Sequence, residues 1–382
     1  MNMRDRFKRF NSGRAVLFLV ALIAVFITGA VLKITAVVIV PLIIALLLAV
    51  VLSPLVIFLE KIRIPRFISI ILAGILVIAS LIVIGVVFYS SAHAILRAYP
   101  RYENRITEIY IWLARFFELS YDEELSVFQN LWSQLGIRSQ IRLYTISLSN
   151  TFLSFTRDAV MVTLFVIFFL FEGVFIKEKL SVAFEGPRAS QIQKMSTDIM
   201  LQVSRYLSIK FVISVVNGLV VALFLGMAGL EFATVWGIIQ FIVNFIPTLG
   251  SIAVGVAASL FALIQFWPEP GPVILVAAIM LITNLIIGNI LDPKIMGDGL
   301  GLSPVVLLVS LVLWGWLWGF AGMVISVPMM VITKIVCENV AVLEPVSILL
   351  GSRRAVNAKK AQYEKEAQDE ASGKAAGNVT GE

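Results

Sequence analysis

Eight apolar runs, at 15–32, 34–59, 67–96, 151–176, 206–230, 231–266, 273–291 and 303–333, leave this chain little choice of fold. Crossing a bilayer core of about 30 Å takes about 20 helical residues. In hydrocarbon every backbone N–H and C=O must find a partner within the chain, so runs of this length form helices. With 59% hydrophobic and 14% charged residues and a mean hydropathy of +0.97, the chain lies outside the range of soluble globular proteins. The expected class is an all-α polytopic membrane protein of about eight membrane segments, some of them broken or re-entrant. The first run has a longer apolar core than a cleavable signal and a second run follows at once, so it is read as retained.

Basic residues near span ends set orientation. Arg4, Arg6, Lys8, Arg9 and Arg14 precede the first run; Lys61, Arg63 and Arg66 separate the second and third; Lys177, Lys179, Arg188, Lys194 and Arg205 follow the fourth. These sides are expected to be cytoplasmic, with both termini inside. The resulting division is a basic N-terminus (1–14), three transmembrane helices (15–96), an external amphipathic helical segment (97–150), a fourth transmembrane helix (151–176), a cytoplasmic loop (177–205), a transport core with broken helices (206–334) and a cytoplasmic tail (335–382). In the external segment Ile106, Ile109, Leu113 and Phe116, then Leu125, Phe128, Leu131 and Leu135, recur at helical spacing. Eight crossings put both termini on one side, and so do six crossings with two re-entrant hairpins.

Two runs carry their own interruptions. Phe241–Leu249 sets Asn244 and Pro247 inside apolar sequence, and Asn284–Pro293 adds Asn289 and Asp292 before a second proline. Proline removes a donor and clashes with the preceding turn, and in a membrane the freed carbonyl needs protein or a water-lined cavity. Interrupted apolar segments are a sequence pointer to a transport site. The 231–266 run would extend about 54 Å as one helix at 1.5 Å per residue, so two half-length arms meeting at Pro247 are the alternative to a single span.

Other chemistry is scarce. The sequence has no Gly-x-x-x-x-Gly-Lys-Ser/Thr phosphate loop, a single cysteine (Cys337) and a single histidine (His93), so nothing points to ATP hydrolysis, a disulfide, a metal site or a cofactor. Carboxylates gather near run ends: Glu172 in the fourth, Glu231 opening the sixth, Asp292 closing the seventh. A proton pump with a mid-membrane carboxylate does not fit this pattern. At depth the polar residues are neutral, and they suit a hydroxyl-bearing solute. The expected substrate pathway is Asn244, Pro247 and Gly250 on one wall and Asn284, Asn289, Asp292 and Pro293 on the other. Glu172, Glu231 and Asp292 are the residues for ion coupling if a cation is the cargo. The expected partners are a small polar solute or cation and the lipid bilayer, with no nucleic acid.

The order Asn244-Phe-Ile-Pro247-Thr-Leu-Gly250, Gly288-Asn289-Ile-Leu-Asp-Pro293-Lys-Ile-Met-Gly297, Leu302-Ser-Pro304 and Trp314-Gly-Trp-Leu-Trp-Gly319-Phe-Ala-Gly322 through Pro328 resembles the autoinducer-2 exporter family of bacterial permeases. Asp292 stands where the resemblance leads one to expect an uncharged or variable residue. The resemblance implies a homo-oligomeric permease of the bacterial cytoplasmic (inner) membrane, with about eight membrane segments and working without ATP. Autoinducer-2 is the substrate of some members, and sodium or lithium exchange for protons is proposed for others. A non-transporting membrane scaffold or sensor, using the 97–150 segment to bind a partner, is the reading from a different class.

Overall fold

Helix after helix follows from the apolar runs, and the structure, a computed structural model, describes residues 12–117, 137–173, 179, 182–183, 187–247, 249–296, 301–352 and 356–357. The basic residues before Ser12, the Leu125–Leu135 repeat, Thr248, Gly297 and the tail beyond residue 357 lie outside the described residues. The elements are α1 (Ser12–Ile34), α2 (Ala36–Lys61), α3 (Arg66–Phe116), α4 (Ile137–Glu172), α5 (Pro187–Met227), α6 (Ala233–Val243), α7 (Leu249–Phe266) and α8 (Pro270–Thr283). A π-helical segment (Asn284–Leu291), α9 (Asp292–Met296), α10 (Pro304–Asn339) and α11 (Glu344–Leu350) complete them. Seven helical stretches among the described residues have the length and composition to cross a membrane, one of them, Pro304–Asn339, being counted across a reversal inside α10.

Helices α2, α3 and α4 pack through small and branched side chains: Ala45, Ala49 and Val56 meet Ile70, Ala73, Val77, Val162, Val166 and Leu170. Arg66 marks one end of this bundle, where its guanidinium donates to the Leu170 carbonyl at 3.3 Å and pairs with Glu60 at 3.2 Å. Glu231 marks the opposite end, paired with Arg101 on the far part of α3 at 2.6 Å. Residues 97–116 of the expected external segment continue α3 as helix, and residues 187–205 of the expected loop continue α5. Outward-facing Val83 and Phe168 are about three-fifths exposed, which is the surface that lipid covers.

The 231–266 run is two arms, and the interruption at Asn244–Pro247 separates them. At about 16 Å for its 11 residues, α6 cannot cross a bilayer core of about 30 Å. Helix α7 carries the chain back to where α6 began: Gln265 Oε1 accepts the Glu231 N–H and Gln265 Nε2 donates to the Gly229 carbonyl, both at 2.8 Å. Trp236 and Phe261 meet across the arms, ring centroids 5.8 Å apart. The pair is a helical hairpin open at the Glu231 end, with its tip at Asn244–Pro247.

The 303–333 run, expected to cross once, also folds back. Ser310 Oγ donates to the Ser326 carbonyl at 3.0 Å, whereas sixteen residues of straight helix would separate them by about 24 Å. The turn is at Trp318 (φ −126°, ψ 17°) and Gly319 (φ 61°, ψ −139°), the second a conformation that a side chain makes costly. A Cβ on Gly322 would lie 1.9 Å from the Trp314 carbonyl oxygen, so glycine is what lets the arms touch. Trp318 Nε1 donates to the Leu32 carbonyl at 2.9 Å, fixing this tip against the α1–α2 junction. Its base packs Leu302, Val327 and Val331 on Val203, Tyr206 and Leu207 of α5. The second hairpin therefore enters from the end opposite to Glu231, and the two hairpins point toward each other. Sequence alone did not reveal this fold, because both arms of α10 are apolar and hydropathy carries no sign of a reversal.

Candidate functional site

A close glycine contact brings α6 onto α5. The Cβ position of Gly218 lies 2.7 Å from the Gly237 carbonyl oxygen, and that of Gly237 lies 2.5 Å from the Gly218 carbonyl oxygen, so any larger residue would separate the helices. This approach sets Ser214 and Asn217 of α5 beside the α6–α7 tip. Asn244 then sits at the centre of a buried network: its Nδ2 donates to Ser214 Oγ at 2.9 Å, and its Oδ1 accepts from Asn217 Nδ2 at 3.3 Å and from Ser251 Oγ at 3.2 Å. Asn217 Oδ1 is buried and has no partner among the described residues. Gly250 belongs to the tip rather than to an open wall, its Cβ position lying 2.1 Å from the Val243 carbonyl oxygen.

Opposite the tip, the interruption expected at Asn284–Pro293 does not break the helix: α8 widens into the π segment Asn284–Leu291 and runs on into α9, with Thr283 and Asp292 both in right-handed helical conformation. The wider turn shifts hydrogen bonds to i→i+5 and is frequent at functional sites. A cavity of about 220 Å³ separates it from the hairpin. The tip supplies Asn244, Pro247, Ser251 and Ile252; the π segment and its exit supply Asn284, Gly288, Asn289 and Asp292. Tyr206 and Lys210 enter from α5, and Leu307 and Val327 from the two arms of the second hairpin. A larger hollow of about 770 Å³ lies along Tyr89–Arg101, but among the described residues α3 alone lines it, so it encloses nothing.

Lys210 is 4% exposed and its Nζ donates to Asp292 Oδ2 at 2.6 Å, an ion pair set in the cavity wall. Asp292 Oδ1 is buried without a partner among the described residues. Breaking such a pair by removing one member leaves an uncompensated charge in low dielectric, which is costly.

Five of the seven expected pathway residues, Asn244, Pro247, Asn284, Asn289 and Asp292, therefore share one cavity, although they come from two stretches about forty residues apart in sequence. Gly250 packs within the tip against the Val243 carbonyl and does not line the cavity, and Pro293 follows Asp292 in α9 with its side chain outside the described set. Of the three coupling residues, only Asp292 reaches the cavity. Glu172 is exposed and pairs with Lys179. Glu231 accepts from both Arg101 and Tyr102 at the far end. Burial first, and the bond to Glu231 next, push the Tyr102 hydroxyl up to about 12, so it remains a protonated donor at physiological pH. Tyr206 and Lys210 are the members that sequence reasoning passed over. A lone lysine five positions into the 206–230 run was the available signal, because an ammonium at depth is expensive without a partner.

A family profile for AI-2E family transporters matches residues 16–341. The AI-2 transport protein TqsA of Escherichia coli K12 is 31% identical over 89% of this chain and 96% of its own length. A transport-protein candidate of Borreliella burgdorferi is 30% identical over 88% of this chain and 90% of its own. A sodium-lithium/proton antiporter of Halobacillus andaensis is 29% identical over 43% of this chain and 46% of its own.

Proposed function

The chain belongs to the AI-2E transporter family, and on that premise we propose that it exports a small neutral polar solute of the autoinducer-2 kind, without ATP, through the cavity between the α6–α7 tip and the π segment. Membrane transport is the family's business, and the apolar helices agree with a multi-pass protein. The observation that carries the finer reading is the meeting of one helix break, at Asn244–Pro247, and one π-helical widening, at Asn284–Leu291, on a single polar cavity of about 220 Å³. Its amides and Ser251 offer donors and acceptors for hydroxyl groups, and the Lys210–Asp292 pair cancels its own charge. A solute bound there needs no counter-ion, which suits a neutral cargo.

The test is flux through purified protein in liposomes. A labelled autoinducer-2 analogue is expected to equilibrate with sodium and proton gradients collapsed, and Asp292→Asn changes the rate without abolishing it. A second reading, sodium or lithium exchange for protons, is favoured by the unpartnered Asp292 Oδ1 and by the partial likeness to the Halobacillus antiporter. Under it, gradient-driven exchange would be present in the wild type and absent from Asp292→Asn, because an amide carries no alternating charge. Loss in Glu231→Gln or Glu172→Gln instead would move coupling to the bundle ends and away from the cavity.

The setting is a bacterial cytoplasmic membrane with the Arg66 end inside, a reading supported by Lys61, Arg63 and Arg66 at that end. In a Cys337→Ser background, a cysteine at Ser120 is expected to react with an impermeant thiol reagent in intact cells, and one at Ser352 is not. The reverse labelling inverts the orientation.

A further inference from the structure

We propose that Lys210 is a built-in counter-ion: its ammonium holds the place on Asp292 that a sodium or lithium ion would otherwise take, so the cavity works without a bound alkali cation. This rests on reading the cavity as the solute path. Three observations meet here. The contact is direct, Lys210 Nζ to Asp292 Oδ2 at 2.6 Å, with Lys210 4% exposed and its side chain committed to the cavity rather than to either bundle end. The second carboxylate oxygen, Oδ1, is buried and unpartnered among the described residues. Neutral oxygen ligands stand around the same cavity, on Ser251, Asn284 and Asn289. A carboxylate with amide and hydroxyl oxygens beside it is the ligand set of a hard monovalent cation. With Lys210 in place the negative charge is already satisfied, and a cation approaching Oδ1 meets the ammonium's repulsion.

Removing the ammonium should therefore create a sodium requirement. With Lys210→Gln, the carboxylate is left without its partner, and sodium or lithium is expected to take the vacated place. The purified variant should gain a saturable rise in unfolding temperature in NaCl or LiCl over choline chloride at equal ionic strength. Its flux of the neutral solute should be at least about tenfold faster in sodium than in choline, since an uncompensated buried charge is strongly unfavourable. Lys210→Arg should remain indifferent to sodium, and so should the double variant Lys210→Gln/Asp292→Asn, in which no charge is left to compensate. The wild type should show neither effect. The unfolding measurement needs no transport, so it judges the counter-ion role even if the solute proves to be wrong. A sodium-blind Lys210→Gln that folds overturns the proposal. So does a wild type whose unfolding temperature rises saturably with sodium and loses that rise in Asp292→Asn, a comparison that holds even if Lys210→Gln does not fold.

Discussion

Asn244→Leu is expected to lower solute flux through the reconstituted protein by at least about a hundredfold and to lower the unfolding temperature as well. The side chain is 3% exposed, and one amide serves Ser214, Asn217 and Ser251 together. Leucine fills similar space but removes the partner that Ser214, Asn217 and Ser251 share, and each buried polar group left unpaired costs about 1–3 kcal/mol. The sum is a large part of the stability of an ordinary domain, so the tip is expected to move or loosen. Loss of flux alone would then not separate a pathway residue from a structural one. Asn289 makes that separation. It lines the same cavity but is exposed, so Asn289→Leu should cut flux while leaving the unfolding temperature within about 2 °C of the wild type, as exposed substitutions usually do. Wild-type flux in Asn289→Leu, with Asn244→Leu merely unstable, would remove the cavity from the solute's path.

The second large effect is steric. Gly322→Ala adds one carbon at a point 1.9 Å from the Trp314 carbonyl oxygen and 3.1 Å from the Trp318 Cβ, well inside contact distance. Neither neighbour is the end of a flexible side chain, so the arms of α10 must part. Parting breaks the bond between Ser310 and the Ser326 carbonyl and draws Trp318 from the Leu32 carbonyl. The expected result is a fall of ten degrees or more in unfolding temperature, or no monodisperse protein, since overpacking of this kind typically costs about 1–3 kcal/mol and here dismantles a tip as well. Gly250→Ala should behave the same way at the other hairpin, where the Val243 carbonyl oxygen is 2.1 Å away. Gly255→Ala is the control: its nearest neighbour, Met280 Cβ, is 3.6 Å away, an ordinary contact, and the variant should unfold like the wild type. Unfolding by intrinsic fluorescence in detergent, with size-exclusion profiles, measures all three. An unchanged Gly322→Ala would mean that the arms do not touch.

Much of this arrangement is written in local sequence. The membrane class follows from run length, because backbone polarity in hydrocarbon admits helices and little else at that composition. The interruption at Asn244–Pro247 is equally legible, since proline acts on the turn before it wherever it stands. Asn244, Asn284, Asn289 and Asp292 stand out as polar residues in greasy surroundings. Their convergence is another matter. Asn244 meets Ser214 and Asn217 only because Gly218 and Gly237 let α5 and α6 touch, and Lys210 meets Asp292 across 82 positions of chain. Hydropathy records what each run would do in lipid, but not which face it turns to another helix. The reversal at Trp318–Gly319 is hidden for the same reason: a folded-back pair and a single long span have the same composition, and only the contact of Ser310 with Ser326 tells them apart. The sequence by itself determined that the apolar runs are helical and that one of them breaks at Asn244–Pro247. The tertiary structure decided that the two hairpins enter from opposite ends and that an ammonium answers the carboxylate between them, because charge compensation and close packing are properties of neighbours in space.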